Sequence, residues 1–416
     1  MSTRFPASLA LVAAALATLP AFAQKRADAI VVTASRTAQP MDELLADVTV
    51  IGPEEILRSG AISLAQLLQR QPGVEVTTNG GPGSTSGIFL RGANAGQTLV
   101  LIDGLRVGSS STGSTSVEAI PLDQIDRIEI LRGPASSLYG ADAVGGVVQV
   151  FTKRGRAGAF SAGASAGFGT YAARNVNGGA SGSIGDLRLS LHAGATESDG
   201  FNAIDNPSSF SYNPDRDGYS TRNVALNAAL PWAPGHEISL RVLRNRVDAQ
   251  TDGGPDFDDR TITTLQALAI VSRDRFMKDW GSTLTAGEGS DDSVSKSAYG
   301  DAPFKTTQRQ YMWQNDITLP AGMLSLVIER REETLKTTHN FAVKSRDTDA
   351  IAGVYQLHQG PWALQANVRR DDSSQYGVKN TGGIAAGYKV LPSLRLTAGY
   401  STGFKAPSFN DLYFPG

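Results

Sequence analysis

From about residue 157 onward the chain alternates. In 187–196, Leu187, Leu189, Leu191, Ala193 and Ala195 fall on one face, while Arg188, Ser190, His192 and Thr196 fall on the other. Ile238, Leu240 and Val242 alternate with Glu237, Ser239 and Arg241. Trp362, Leu364, Ala366 and Val368, and later Leu394, Leu396, Ala398 and Tyr400, repeat the pattern. Period two with one apolar face specifies half-buried β-strands. About 13 such segments follow one another, each near the length that a tilted strand needs to cross an outer membrane. Alternation alone fits a soluble sandwich as well as a membrane barrel. The connections favour the barrel. They are short at 182–186 and 319–322, and long and polar at 198–219, 248–261, 290–307 and 337–347. Short turns at one end and long loops at the other is the outer-membrane arrangement.

The first 23 residues read as a secretory signal: Arg4, an apolar run at 9–19, and Ala21-Phe22-Ala23 as the small-x-small cleavage pattern. No later stretch approaches the roughly 18 apolar residues of a spanning helix. The 38 Lys and Arg against 40 Asp and Glu give a net charge of −2, which excludes a strongly basic nucleic-acid binder. The absence of cysteine excludes a disulfide scaffold, a Cys-liganded zinc site and a cysteine nucleophile. The four histidines are scattered, without metal-ligand spacing. Gly163-Ala164-Ser165-Ala166-Gly167 matches G-x-S-x-G, but it lies in an alternating strand with no helix after it, so no enzyme is expected.

Residues 40–155 have a different grammar, that of a compact α+β domain. Ser63 caps a short helix over 64–68, closed by Pro72-Gly73. Strands are expected at 99–102, 125–131 and 147–152, with Gly- and Ser-rich loops at 79–87 and 108–116. Ahead of the domain, 24–39 reads as a linker carrying a β-prone run, Asp28, Ala29, Ile30, Val31, Val32, Thr33 and Ala34. Such a run can add as a strand to a partner's sheet edge, or serve as the first strand of its own domain.

This segment resembles the TonB box of TonB-dependent outer-membrane receptors. The domain after it resembles their plug: LQRQPGVEV at 68–76, IFLRGANAGQTLVLIDGLRV at 88–107, and IPLDQIDRIEILRGPASSLYGADAVGGVVQVFTKRG at 120–155. The 33–36 context, the NGGPGS loop and the stretch at 369–413 look most like the cobalamin-receptor branch. The resemblance implies a membrane β-barrel with an α+β plug inside it, divided as signal peptide 1–23, TonB box and linker 24–39, plug 40–155 and barrel 156–416. It implies an outer-membrane location in a Gram-negative cell, contact with outer-membrane lipid, and TonB as partner.

Further expectations follow from it. A barrel of about 22 strands has a lumen wide enough to need a plug. Arg91 and Arg132 would sit in that lumen as a plug–barrel lock, pairing with carboxylates on the wall. By resemblance, Asn79, Ser86, Asn94, Thr112 and Gly113 face the ligand, and small polar residues suit a large, amide-rimmed one. The loops 201–219 and 249–260 carry clustered carboxylates. Such a cluster is either solvated or bridged by a hard cation. Asp215-Arg216-Asp217-Gly218 matches the Asp-x-Asp-Gly element of calcium-ordered loops in that branch, so Asp215, Asp217, Asp256 and Asp258 are the candidate ligands. No cofactor is required for the fold. With only about 13 of about 22 strands, the barrel is expected to be open around an intact plug. That pattern fits a piece of a longer reading frame or a truncated product. Three functions stay open: energised uptake of cobalamin or another corrinoid, the same for an iron–siderophore complex, or a passive or non-functional truncated barrel.

Overall fold

The computed structural model describes residues 30–158, 160–254, 257–391 and 393–415. The expected signal peptide, Asp28, Ala29 and Asp256 lie outside the described residues.

The amino-terminal part begins with a two-stranded ribbon, β1 (Ile30–Val31) and β2 (Gln39–Pro40). The plug is then built from β3 (Asp47–Ile51), β4 (Val74–Thr78), β5 (Ser86–Leu90), β6 (Thr98–Ile102), β7 (Leu105–Arg106), β8 (Ile125–Arg132) and β9 (Gly146–Thr152). Short helices lie at α1 (Pro53–Arg58), α2 (Leu64–Leu68) and α3 (Ser136–Tyr139). The Ser63 hydroxyl accepts the Gln66 N–H at 3.2 Å, the cap read from the sequence, and Leu64, Leu67 and Leu68 are buried beneath it. The central sheet runs β3-β8-β9-β6-β7, with only β6 and β9 parallel; β4 and β5 form a separate hairpin.

Thirteen antiparallel strands follow in sequence order: β10 (Ser161–Phe168), β11 (Arg174–Ile184), β12 (Leu187–Phe201), β13 (Asp217–Ala233), β14 (His236–Gln250), β15 (Arg260–Met277) and β16 (Trp280–Ser297) form the first half. The second half is β17 (Gly300–Leu319), β18 (Gly322–Thr337), β19 (Ser345–Gln359), β20 (Trp362–Ser373), β21 (Gly377–Leu391) and β22 (Leu394–Ser401). The sheet is not closed in this chain, and β10 and β22 are its two edges. A short helix, α4 (Phe409–Tyr413), follows β22.

Period two sets the faces. Trp313, Ile328 and Ile351 stand opposite one another across β17, β18 and β19, and all three are exposed on the outer face. At the short-turn end, Trp232, His236, Phe276 and Trp280 form a run of ring contacts with centroids 4.8 to 5.9 Å apart. This is the aromatic belt expected at a lipid–water boundary. The inner face holds the plug. Leu243, Val247, Leu265, Ala267, Ala269 and Val271 of β14 and β15 join one buried cluster with Ile102, Leu105 and Val107. Apolar burial at roughly 25 cal/mol per Å² makes this contact a principal adhesive between plug and wall.

One expected loop is absent. Residues 290–307 form paired strand, with Ser297 opposite Gly300 and only two residues in the turn. The strands here are mostly polar, and Val294 and Phe304 are isolated apolar residues, Phe304 packing against Leu335, Phe341 and Phe409. Hydrophobic alternation ends at the membrane boundary, but backbone pairing does not.

Candidate functional site

The described part of the segment expected to be a TonB box is folded into the chain. Ile30 and Val31 pair with Pro40 and Gln39, and Val31, Thr33 and Ala34 are buried. The clip that holds it is Glu129 on β8, a carboxylate with no solvent exposure. One of its oxygens accepts the Val32 N–H at 2.9 Å, the Thr33 N–H at 2.9 Å and the Thr33 hydroxyl at 2.7 Å. The other accepts Arg127 Nε at 2.9 Å. Tyr139 donates its hydroxyl to the Thr33 carbonyl at 3.0 Å. Among the described residues of this run, Ile30 and Val31 are strand, in a ribbon with Gln39 and Pro40 that is separate from the plug's central sheet.

The same segment reaches the barrel wall. Arg36, at φ 64°, lies over the Tyr139 ring and sits 3.6 Å from Glu329 of β18. Burial lowers the pKa of Arg36, and Glu329 opposes that shift. Glu329 also receives Arg369 of β20 at 3.1 Å, and Arg369 binds Asp371 at 2.8 Å. Two residues further along β18, Arg331 contacts Glu333 at 3.2 Å, and Glu333 takes Arg346 of β19 at 2.6 Å. The Ser110 hydroxyl in the plug loop 107–116 donates to Glu333 at 2.6 Å. On the plug, Arg106 reaches Asp142 at 3.1 Å, and burial lowers its pKa to about 10. Lys405 also binds Asp142 at 3.1 Å. Sequence reasoning missed this network. Its signal was available, since Glu329-x-Arg331-x-Glu333 and Arg369-x-Asp371 put charges at period two on the face opposite Leu326, Ile328 and Val368.

The expected lock residues need correction. Arg91 and Arg132 pair with Asp47 of the plug itself, Arg132 at 3.4 Å. Arg132 also donates to Thr49 Oγ1 and to the Pro72 carbonyl, each at 2.8 Å. Among the described residues neither reaches a carboxylate on the wall. The reason is register: Asp47 stands directly opposite Arg132 across β3 and β8, so the nearest carboxylate is the cross-strand one. Arg36 is the arginine ahead of the plug that pairs with a wall carboxylate, Glu329, while the Arg106 guanidinium binds Asp142 and the Tyr139 and Ala141 carbonyls of the plug.

The expected ligand-facing positions differ in exposure. Asn79, Asn94 and Thr112 are exposed, and no hydrogen bond joins them to one another. Gly113, at φ 76°, lies under the Lys405 side chain. Ser86 is buried: it stands opposite Thr78 in the hairpin, its hydroxyl donates to the Ser84 carbonyl at 3.0 Å, and its N–H donates to Glu118 at 3.2 Å. Burial pushes the Glu118 carboxyl up to about 8.

In the acidic loops the structure brings together Asp215, Asp217 and Asp252, with one oxygen of each within 4.8 Å of the others. Asp252 replaces the expected Asp258, which is engaged by Arg260 and by Gln250 at 2.9 Å. The donors are all carboxylate oxygens, which suit a hard cation. Asp252 Oδ1 is buried without a hydrogen-bond partner, so the residues fit such an ion. Burial, then Asp217 and Asp215, raises the Asp252 pKa.

The chain matches two family descriptions: TonB-dependent Receptor Plug Domain over residues 40–147, and TonB dependent receptor-like, beta-barrel over residues 153–416. It is 32% identical over 404 residues to the Vitamin B12 transporter BtuB of Photobacterium profundum, covering 93% of this chain and 64% of that one. It is 31% identical over 402 residues to the Vitamin B12 transporter BtuB of Vibrio cholerae, with the same coverage. The chain thus spans 64% of the length of these relatives. Among solved structures it resembles the siderophore receptor PirA from Acinetobacter baumannii, with TM-score 0.75, 17% identity, and coverage of 86% of this chain and 61% of that one. It likewise resembles a mutant of the ferric enterobactin receptor PfeA from Pseudomonas aeruginosa, with TM-score 0.75, 18% identity, and coverage of 92% and 64%. At such identities these likenesses show the shared fold.

Proposed function

The chain belongs to the TonB-dependent receptor family, and on that premise we propose that it serves active uptake of cobalamin or a related corrinoid across the outer membrane. The observation that carries the substrate is the identity of 31–32%, sustained over 93% of the chain, to transporters named for vitamin B12. The siderophore receptors share the fold at 17–18% identity, which leaves their ligand class without comparable support.

In this reading the ligand enters from the long-loop end and meets the plug loops 79–85 and 107–116. The segment 28–34 is the TonB-binding strand. Released from Glu129, its backbone donors and acceptors become free to pair with an edge of TonB, where main-chain hydrogen bonds supply affinity. Force applied there would draw first on Arg36 and its wall partner. Asp215, Asp217 and Asp252 would hold a calcium ion that pins loop 202–216 to loop 251–259.

The test is cobalamin binding to the purified receptor, with and without calcium, alongside ferric enterobactin. Saturable cobalamin binding supports the reading, and weakening on chelation supports the calcium site. Binding of the iron chelate alone, in protein shown to be folded, would replace the substrate. Uptake that survives deletion of 28–34 would replace energised transport with a passive pore.

A further inference from the structure

At the short-turn end of the lumen, a cavity of about 100 Å³ lies between the plug's exit and the wall. Arg154 lines it from the segment joining plug to barrel; Arg188, Arg241 and Arg273 line it from β12, β14 and β15. The lining includes one carboxylate, Glu237. Glu237 is already engaged by Arg188, and by Arg273 at 3.3 Å. Arg154 pairs with Asp103 at 2.8 Å. Lys153, next in line, donates to the Asp123 carbonyl at 2.6 Å.

Arg241 is left over. It is 7% exposed, its Nη1 donates to the Asp103 backbone carbonyl at 2.8 Å, and its Nη2 has no hydrogen-bond partner among the described residues. The Nε of Arg188 is also buried without one. Four guanidinium groups therefore face two carboxylates, Glu237 and Asp103.

We propose that this cavity is an oxyanion site that takes a phosphate-type anion. A buried guanidinium without a carboxylate partner is costly, and a water can accept its hydrogen bond without offsetting its charge. A tetrahedral oxyanion does both, because its oxygens match the planar fork of arginine. The space suffices, since a single water needs only roughly 10–15 Å³ of such volume. A metal cation is excluded by the four positive side chains. A bound anion would tie Arg154, on the joining segment, to three wall strands, and so clamp the plug at its exit. The proposal stands apart from the corrinoid reading, because it rests on the lumen floor alone.

The experiment is titration of the purified receptor in detergent with inorganic phosphate at constant chloride, read by calorimetry. Dimethyl phosphate forms a second arm, to separate a free phosphate from a phosphodiester. Saturable binding that Arg241→Gln weakens by about tenfold or more is expected, as loss of a charged hydrogen-bond donor implies. Arg309→Gln, on the outer face, should leave binding unchanged. Arg241→Gln could fail to fold, so a second readout uses the unaltered protein. Phosphate should protect Arg188 and Arg241 from phenylglyoxal, mapped by mass spectrometry, while Arg309 stays reactive. No binding of either anion, or binding unchanged by Arg241→Gln together with no selective protection, would overturn the proposal.

Discussion

Replacing Glu129 with alanine should release the segment 30–34 while leaving the plug folded. The carboxylate takes three hydrogen bonds from Val32 and Thr33, all within 2.9 Å. A hydrogen bond to a charged group contributes roughly 1.5–3 kcal/mol net. Glu129 is fully buried, and it must stay hydrogen-bonded whether or not the segment is docked. Taking about 4 kcal/mol as the combined loss, the docked-to-released ratio falls about a thousandfold, since each 1.4 kcal/mol is a factor of ten. Glutamine keeps an acceptor without the charge, and charge assistance roughly doubles such a bond, so Glu129→Gln should give about half that loss. The assay is a spin label at Ile30, which is 60% exposed and tolerates one. Its spectrum should pass from immobilised to mobile in Glu129→Ala and to a mixture in Glu129→Gln, while a label at Phe89 on the β4–β5 hairpin is unchanged. An Ile30 label that stays immobilised in Glu129→Ala would refute the clip, and would assign the hold to Val31, Tyr139 and Arg36.

Three further outcomes are expected. The Glu118 carboxyl, raised by burial from 4.5 to about 8, binds more protons docked than exposed, so its contribution is present below pH 4.5 and lost as pH rises towards 8. Hydrogen exchange at 84–90, corrected for intrinsic rate, should therefore speed up between pH 5 and 8.5, by about tenfold or more given the size of the shift, and Glu118→Gln should flatten it. Asp252→Asn should abolish calcium-dependent protection of loops 202–216 and 251–259 from protease, whereas Asp258→Asn should preserve it, because Asp258 is bound to Arg260. Gly146→Ala should destabilise the plug by about 3 kcal/mol or more in a urea titration, since φ is +149° and a Cβ would lie 2.1 Å from the Leu131 carbonyl oxygen.

What the sequence showed depended on how local its signal was. The capped helix at Ser63, the strands expected at 99–102 and 147–152 and the alternating wall all follow from spacing within a few residues, and the structure has them, the two strands at Thr98–Ile102 and Gly146–Thr152. The 290–307 hairpin escaped because its strands are mostly polar, with Val294 and Phe304 too isolated to set up a period of two in hydrophobicity. The lock assignment of Arg91 and Arg132 failed for a different reason: an arginine's partner depends on register, and Asp47 lies 85 residues from Arg132 in sequence. Glu129 was invisible as a clip for the same reason. Its partners lie 96 and 97 residues away, and nothing within β8 distinguishes it from an ordinary strand charge. The acidic triad was legible as a cluster but not as a set. Only the folded loops show that Arg260 removes Asp258 from it and that Asp252 takes its place.

The lumen charges bear on how the two ends of the plug communicate. Glu329 and Glu333 lie on the same face of β18, four residues apart, with Arg331 between them. Glu333 is tied to the plug loop 107–116 through Ser110, and Glu329 is tied to the segment ahead of the plug through Arg36. Both carboxylates are buried, so neither can be left without any partner in so poorly solvated a place. If Ser110 moves away, Arg331 and Arg346 remain to satisfy Glu333. If Arg36 moves away, Arg369 remains to satisfy Glu329. The wall thus holds each plug contact as one donor among several, and the arginines that stay behind belong to the barrel. That arrangement lets the plug break its contacts at either end without stranding a bare carboxylate in the lumen. A lock of single, private ion pairs would instead impose the full penalty of a broken buried pair, about 3–5 kcal/mol, each time the plug moved.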